Sequence, residues 1–575
     1  MKRIYLLTLL FGVGIVCMLS LVFPALTKML EGNDFFLMTW DYFLLKLNQG
    51  AGINGWLTDY ILQYFKWPLL AGVIYAILAA ILIISASLLL KQIKQNDMLE
   101  GAVLPLVALL ALFPFCINLL LEGCVFYLVF LVYIKLGTAW KRICFCFLYV
   151  IVGMFMVSVP LLGLNVAVMV TWEYIHTRKI WLLGVFVGCM GLIYAIVQLL
   201  NAYVGFIPFE MRYFHTNAVN GAWNECLYLL IFLLPFLSLL MPEIRKRRYN
   251  MLCSAIAALL IVGSLLYSVS NPALNYNERC YKYVLLTENK AWEELRHLLE
   301  SDDKSDSSVK QKFALLMESV QGTLPERLFD YKINTPEDFL FRFDRNTFSC
   351  LFNALFYENA AIYDEAFHQF FEYSMQMLNG NCFMAMRHMI QYSIQEGDLS
   401  VAEKYLDVLA KSSCHSDFIQ SCRSQVDMQK KHKTKSAVAL RGDNFVGCYP
   451  FNSEMVRQLQ EYPQNKIYLD YLLCGLLLQK NLVHFKVILE GFPLYKNTEL
   501  PKAYAEACAL MKAQGAPQSD GFVYPEIYDR QLRECYQAYK DGDSYTANGF
   551  ANTFWNYYFY AALPEETQVS GNSAH

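Results

Sequence analysis

Charge is what this sequence has least of. Only 17% of its 575 residues are Asp, Glu, Lys or Arg, while 56% are hydrophobic. An ordinary soluble protein carries about a quarter charged residues, so much of this chain is built for a medium other than water. The net charge is −3, which excludes the strongly basic surface that a nucleic-acid binder needs. Metal-type cysteine spacing is also missing. Of 17 cysteines, those after residue 275 (Cys280, Cys350, Cys382, Cys414, Cys422, Cys448, Cys474, Cys508 and Cys535) are odd in number and contain no CxxC pair. Neither a zinc site nor a complete disulfide framework is suggested, and buried helix packing is the expected role. The sequence has no P-loop, no GxGxxG after a strand, no HExxH and no GxSxG elbow. After Asn271 it has no long apolar run.

That last absence divides the chain. Residues 1–272 read as a multispanning transmembrane domain, 273–565 as a soluble helical domain, and 566–575 as a frayed tail. The hinge of this reading is the stretch where Arg245, Lys246, Arg247 and Arg248 precede the uncharged residues 251–269. A helix of that length crosses the ~30 Å hydrocarbon of a bilayer, and the cationic cluster fixes which way it points. Near the start, Lys2 and Arg3 lead into an apolar run over 4–23 with no A-x-A-like site after it, so it reads as an uncleaved first span.

Apolar segments fall near 4–24, 68–90, 102–120, 121–136, 143–159, 160–176, 180–200, 223–241 and 250–269, which predicts nine spans. Pro105, Pro114 and Pro160 soften the middle boundaries; prolines within spans are tolerated where neighbouring helices satisfy the backbone. With the N-terminus inside, Lys91 and Lys94, Lys141 and Arg142, Arg178 and Lys179, and Arg245 to Arg248 all fall on the inner face, as the positive-inside rule requires. The expected location is therefore the bacterial inner membrane, with a cytoplasmic N-terminus and a periplasmic C-terminal domain.

Two outward loops are large. The first, about 27–67, holds Glu31, Asp34 and Asp41, and then Trp56, Tyr60 and Tyr64 at four-residue spacing, an aromatic helical face suited to the water–lipid boundary. The second, about 201–222, holds Glu210, Arg212 and His215. Glu122 sits at the outward turn between two short helices. Asp34, with Asp41 second, is a candidate general base, because burial beside aromatics raises a carboxyl towards the working pH. Glu122 is a candidate second acid that orients the acceptor or holds a metal. Arg212 and His215, beside Glu210, are candidates for binding a lipid-linked phosphate. The competing readings are solvated loop acids, a charged turn residue and headgroup anchors, respectively.

After Tyr276 the pattern is helix, short turn, helix. Residues 351–357 and 362–373 flank one turn, 383–394 and 401–409 a second, and 469–478 and 482–489 a third. Such pairs are the grammar of tetratricopeptide-like solenoids, which commonly bind protein, although none shows the full consensus. The fold class is therefore all-α, a polytopic membrane domain followed by a soluble repeat-like domain.

A first span, an outward loop opening with Glu31, Asp34 and Asp41, and a second acid, Glu122, at the next outward turn resemble the GT-C-fold glycosyltransferases that use polyprenyl-phosphate sugars. The resemblance covers roughly residues 1–269. It implies that a loop carboxylate, best matched by Asp34, acts as base towards an acceptor while a lipid-phosphate sugar is the donor. Asn33 stands where the family often has a second adjacent acid, so a divalent metal is left unassigned and no other cofactor is expected. The whole chain is also similar to an uncharacterised family of bacterial multispanning proteins with a repeat-like soluble tail, a likeness that carries no activity. The expected function is sugar transfer at the outer face. The alternative is a non-enzymatic envelope scaffold whose repeats dock a protein partner. A transporter ranks third, because no span carries an evident buried ion pair. The bilayer itself is a partner in every case.

Overall fold

The computed structural model describes residues 2–47, 52–93, 117–203, 232–236, 239, 247–301, 308–331, 347–377, 382–431, 451–517, 521–545 and 548–561. These residues are mostly helical, with a single isolated bridge between Glu499 and Val523 in place of any sheet. They form two compact bodies. The first comprises Met1–Tyr281 together with two later stretches, Asn381–Met384 and Lys404–Ser421; the second comprises the remainder.

In the first body, α1 (Lys2–Cys17) runs into a π-helical turn (Met18–Val22), and Phe23 breaks the helix before Pro24 opens α2 (Pro24–Gly32). Pro is suited to a first helical turn, where its missing N–H would have no partner anyway. Two short helices follow, α3 (Trp40–Leu47) and α4 (Gly52–Leu62), and then the long α5 (Pro68–Ile93). Next come α6 (Ile117–Lys135), α7 (Ala139–Gly153), α8 (Val159–Thr177), α9 (Leu182–Tyr203) and α10 (Arg247–Ser270). The chain then bends into α11 (Pro272–Glu288).

Small residues let the first helices approach closely, the packing that apolar surroundings favour. A Cβ added at Gly72 of α5 would lie 2.9 Å from the Cα of Val16, and one at Gly12 would lie 3.4 Å from the Cβ of Ala76. Buried polar ties bind the next helices. Asn165 of α8 donates to the carbonyl of Phe126 at 3.3 Å and to the Tyr149 hydroxyl at 3.1 Å. Arg142 of α7 meets Glu173 of α8 at 3.1 Å.

Among the described residues, four helical stretches are long and apolar enough to cross a membrane: Tyr5–Val22, Pro68–Ile93, Ile117–Lys135 and Leu182–Leu200. A fifth is added if the pair Ala258–Ser270 and Pro272–Glu288, bent by 47°, is taken as one span. The expectation of nine spans is therefore corrected to four or five. At ~1.5 Å per residue the 15 residues of α7 fall short of a ~30 Å hydrocarbon layer. α8 is diluted by Asn165 and Glu173, which pair inside the bundle. Most of 102–120 and 223–241 lies outside the described residues, and the helix expected over 121–136 begins earlier, at Ile117.

The helix ends converge. Ile53 of α4 donates to the carbonyl of Phe155, between α7 and α8, at 2.8 Å. Asn54 donates to the carbonyl of Asn118 in the first turn of α6 at 3.0 Å, and Thr58 bonds the Asn118 side chain. Glu278 of α11 accepts from the backbone N–H groups of Ala25 and Leu26 at 3.1 and 2.7 Å, capping α2. The loop after α1 and the residues after α10 thus lie at one end of the bundle.

The second body is built from helix pairs such as Thr347–Asn359 with Tyr363–Met375, Lys466–Leu478 with Leu482–Gly491, and Lys502–Ala513 with Ile527–Lys540. Their turns close alike. At Ala361, Lys480 and Gly515 the backbone takes a positive φ, and the following N–H reaches back to the carbonyls of Tyr357, Leu476 and Met511. This is the left-handed helix stop that satisfies the last orphan carbonyls. The sequence places the first two of these turns correctly. Residues 566–575, expected as a tail, lie outside the described residues.

Candidate functional site

Asp34 lies in the irregular segment between α2 and α3, at the end of the bundle described above. The residue is half-buried, but its Oδ2 is fully buried and has no hydrogen-bond partner. A lone buried carboxylate oxygen is costly, so burial first, and then the charge of Asp59, push the Asp34 carboxyl up to about 8. Glu31 adds a little in the same direction, while Lys46 and the N–H of Phe35 oppose it.

The neighbours come from two helices, α3 and α4. Lys46, in the last turn of α3, pairs with Asp59 of α4 at 2.5 Å, and both side chains are buried. Tyr42, one turn earlier, places its hydroxyl 2.5 Å from Asp59 and 2.9 Å from the carbonyl of Phe35. One phenolic proton thus stands between two acceptors, and burial and the Asp59 charge raise Tyr42 strongly, so it acts as a donor. Burial also raises Asp59, against the pull of Lys46 and Tyr42. The cluster therefore offers one proton-accepting oxygen, Asp34 Oδ2, braced by a buried ion pair.

An aromatic stack walls the cluster. Phe36 packs edge-on against Trp56 at 5.3 Å and Tyr60 at 5.4 Å, and Phe43 against Trp56 at 5.6 Å. The aromatic face of α4 expected at the water–lipid boundary is half-buried, with Trp56 against Phe36 and Phe43 and Tyr60 against Phe36, while the fully buried side of α4 is the polar one with Asn54, Thr58 and Asp59. The exposed apolar side chains belong instead to α3, where Trp40 is 69% and Leu45 53% exposed. The reason is that two short amphipathic helices in succession can satisfy each other, which periodicity read one helix at a time does not reveal.

The other residues singled out in the sequence are placed as follows. Asp41 is exposed in the first turn of α3, where an acid complements the positive helix end. Glu122 is buried on α6, and its two oxygens accept from the Ser158 N–H at 3.1 Å and the Ser158 hydroxyl at 3.3 Å. It thereby anchors the N-terminus of α8. Asn118, one turn before it, carries α4 and hence Asp59, so Glu122 and the acid loop share one end of the bundle. Glu210, Arg212 and His215 lie outside the described residues. Among the described residues no three His, Cys, Asp or Glu side chains are grouped to hold a metal ion.

Asp59, Lys46 and Tyr42 were not singled out from the sequence. A signal exists for the first two: Asp59 is the only charged residue of α4, and Lys46 the only cation of α3. Isolated opposite charges on consecutive apolar helices are best satisfied by each other.

The second body has its own buried polar clusters. His388 Nε2 lies 2.5 Å from Glu288, and Tyr392 donates to Glu358 at 2.7 Å. A cavity of about 670 Å³ lies between residues 359–362 and 461–467 and contains none of the residues proposed for chemistry.

The described residues define the class: an all-α protein with several helices long and apolar enough to cross a bilayer and a second helical body. The chain belongs to a family of unknown function, DUF6057, whose profile matches residues 1–561. No curated protein and no solved structure matches it.

Proposed function

We propose that the protein transfers a sugar from a lipid-phosphate donor to an acceptor hydroxyl at the membrane face where the α1–α5 loop emerges. Asp34 is the general base. It takes the acceptor proton, the acceptor oxygen bonds to the anomeric carbon, and the bond from that carbon to the phosphate oxygen breaks. The lipid phosphate leaves with the electron pair. The observation that carries this reading is the unpartnered, buried Oδ2 of Asp34 in a carboxyl pushed towards neutral pH. A base of that strength is matched to a proton transfer near pH 7. The resemblance to GT-C enzymes assigns the donor class; Arg212 and His215 are the residues proposed to hold its phosphate, with Glu210 beside them as a further substrate-binding residue. Asp41 and Glu122 complete the proposed set, Asp41 as the second choice of base and Glu122 as the acid that orients the acceptor.

We place the protein in a bacterial inner membrane with its N-terminus in the cytoplasm and the second body in the periplasm. With the bent fifth span counted, an odd number of crossings separates the N-terminus from the second body, as this orientation requires, and the common end shared by α2 and Glu278 supports it. The test is transfer of labelled sugar from a polyprenyl-phosphate donor by the purified full chain. Asp34→Asn should abolish it while yield and helicity stay as in the wild type; equal transfer by both would overturn the assignment.

The second reading is a non-enzymatic envelope scaffold, in which the helix pairs form a tetratricopeptide-like docking body. The shared turn closure at Ala361, Lys480 and Gly515 favours it. On that reading Asp34→Asn is silent, and deletion of 275–575 removes all phenotype.

A further inference from the structure

Asp34 sits in a segment that has no helix of its own to hold it. Its peptide groups are satisfied instead by residues far along the chain that belong to the same compact body. The N–H of Phe383 donates to the carbonyl of Asp34 at 3.0 Å, and the N–H of Met38 donates to the carbonyl of Lys411 at 2.8 Å. The ring of Phe383 lies flat on His415, with centroids 3.5 Å apart and planes 11° from parallel. His415 Nε2 in turn lies 3.5 Å from Glu31, in the last turn of α2. Ser413 donates to Gln63, just past α4, at 3.0 Å. The two later stretches of the first body, 381–384 and 404–421, therefore grip both flanks of the acid cluster: the end of α2, which carries Glu31 and leads to Asp34, and the residues just past α4, which carries Asp59.

We propose that Phe383 and His415 are positioning residues for the Asp34 carboxylate: their stacked rings clamp the 33–39 segment and set its distance from Asp59 and Lys46. The inference rests on the reading of Asp34 as the base, but it concerns the placement of the group rather than the reaction. Removing either ring leaves the Phe383 N–H in place but loosens the segment that carries it, so its bond to the Asp34 carbonyl opens more often and water gains access to the carboxyl. The charged groups that act on Asp34 are Glu31 from α2, Lys46 from α3 and Asp59 from α4. A loop freed in this way opens locally while the helices stay folded.

The experiment compares the full chain in nanodiscs with Phe383→Ala, His415→Ala and His415→Phe, without donor or acceptor. Amide exchange of 33–38 and the Asp34 carboxyl titration (infrared difference against Asp34→Asn) are measured together. The alanine variants should exchange about tenfold faster over this segment. Their Asp34 midpoint should fall by about one to two units as water replaces the rings. His415→Phe keeps a flat partner for Phe383 and should retain wild-type exchange. If the alanine variants do not fold, Phe383→Leu, which fills the space without a flat ring, carries the test. Wild-type exchange and titration in folded Phe383 and His415 variants would overturn the proposal, as would His415→Phe exchanging as fast as His415→Ala. Loss of the sugar-transfer reading would leave these two measurements standing, so the two failures are distinguishable.

Discussion

Lys46 and Asp59 form a buried ion pair at 2.5 Å across two short helices that lie outside every candidate span. Breaking such a pair on one side is far more costly than never having built it, because the remaining charge is left without a partner. Lys46→Met should therefore destabilise the first body by about 3–5 kcal/mol, read as a lower thermal midpoint in detergent. Lys46→Met combined with Asp59→Leu should recover most of that loss. An additive double variant would mean that the two charges do not interact. Lys46 also pulls the Asp34 carboxyl down, so its removal should move any Asp34-dependent activity to higher pH.

The Asp34 carboxyl fixes a pH profile. Raised to about 8, it is protonated in the acid range and becomes a competent base only as pH rises through that value. Transfer should climb through pH 8 and level off above it. The stability effect has the opposite direction. A carboxyl raised in the fold contributes stability that is fully present below its ordinary value near 4 and is lost as pH rises through about 8. Asp34→Asn should flatten that part of the stability curve while removing activity. An activity that declines between pH 6 and 9 in the wild type would rule out Asp34 as the base.

How far the sequence foretold this arrangement depends on where a residue's partner lies. The long helix Pro68–Ile93 is written in composition, since apolar residues without interruption leave a helix little choice but lipid or a core. The division expected at residue 272 falls at Tyr281, and 381–384 and 404–421 return to the first body. Asp34 was legible because an acid in an apolar loop stands out. The span count was not: the apolar stretches 143–159 and 160–176 read as spans, but α7 has only 15 residues and α8 carries Asn165 and Glu173, whose partners lie on neighbouring helices. His415 and Phe383 carry no local signal at all. Their importance arises from contacts with residues 31 and 34, more than 340 positions away in the sequence, and no periodicity encodes such a contact.

Glu122 can be tested for a structural against a chemical role in a single pair of variants. Its oxygens hold the Ser158 N–H and hydroxyl at the start of α8. Glu122→Ala leaves a buried N–H without its acceptor, a loss of about 1–3 kcal/mol. Glu122→Gln keeps an acceptor for that N–H and should restore most of the stability. If transfer is also restored in the Gln variant, Glu122 acts only as an anchor. A stable Gln variant without transfer assigns it a part in the reaction.

The last helix of the second body (Phe554–Tyr560) gives a pH test remote from the acid cluster. Its first N–H groups point at Glu506, whose Oε2 accepts from Phe554 at 2.6 Å, and its last carbonyls at Tyr558 and Ala561 receive Lys480 at 2.7 and 2.5 Å. An acid at the positive end and a cation at the negative end both suit the helix dipole. Burial nevertheless raises Glu506 to about 8, against the pull of the Phe554 N–H and Lys502. Folding thus favours the protonated side chain, and its contribution is lost as pH rises from the ordinary glutamate value through about 8. Glu506→Gln presents a neutral acceptor at every pH, so between about pH 5 and 9 its thermal midpoint should fall less than that of the wild type. Glu506→Ala should lose about 1–3 kcal/mol throughout, because the Phe554 N–H is then buried unpaired. Amide exchange over 554–560 locates the effect: parallel pH slopes for the wild type and Glu506→Gln would show that this carboxyl does not titrate in the fold.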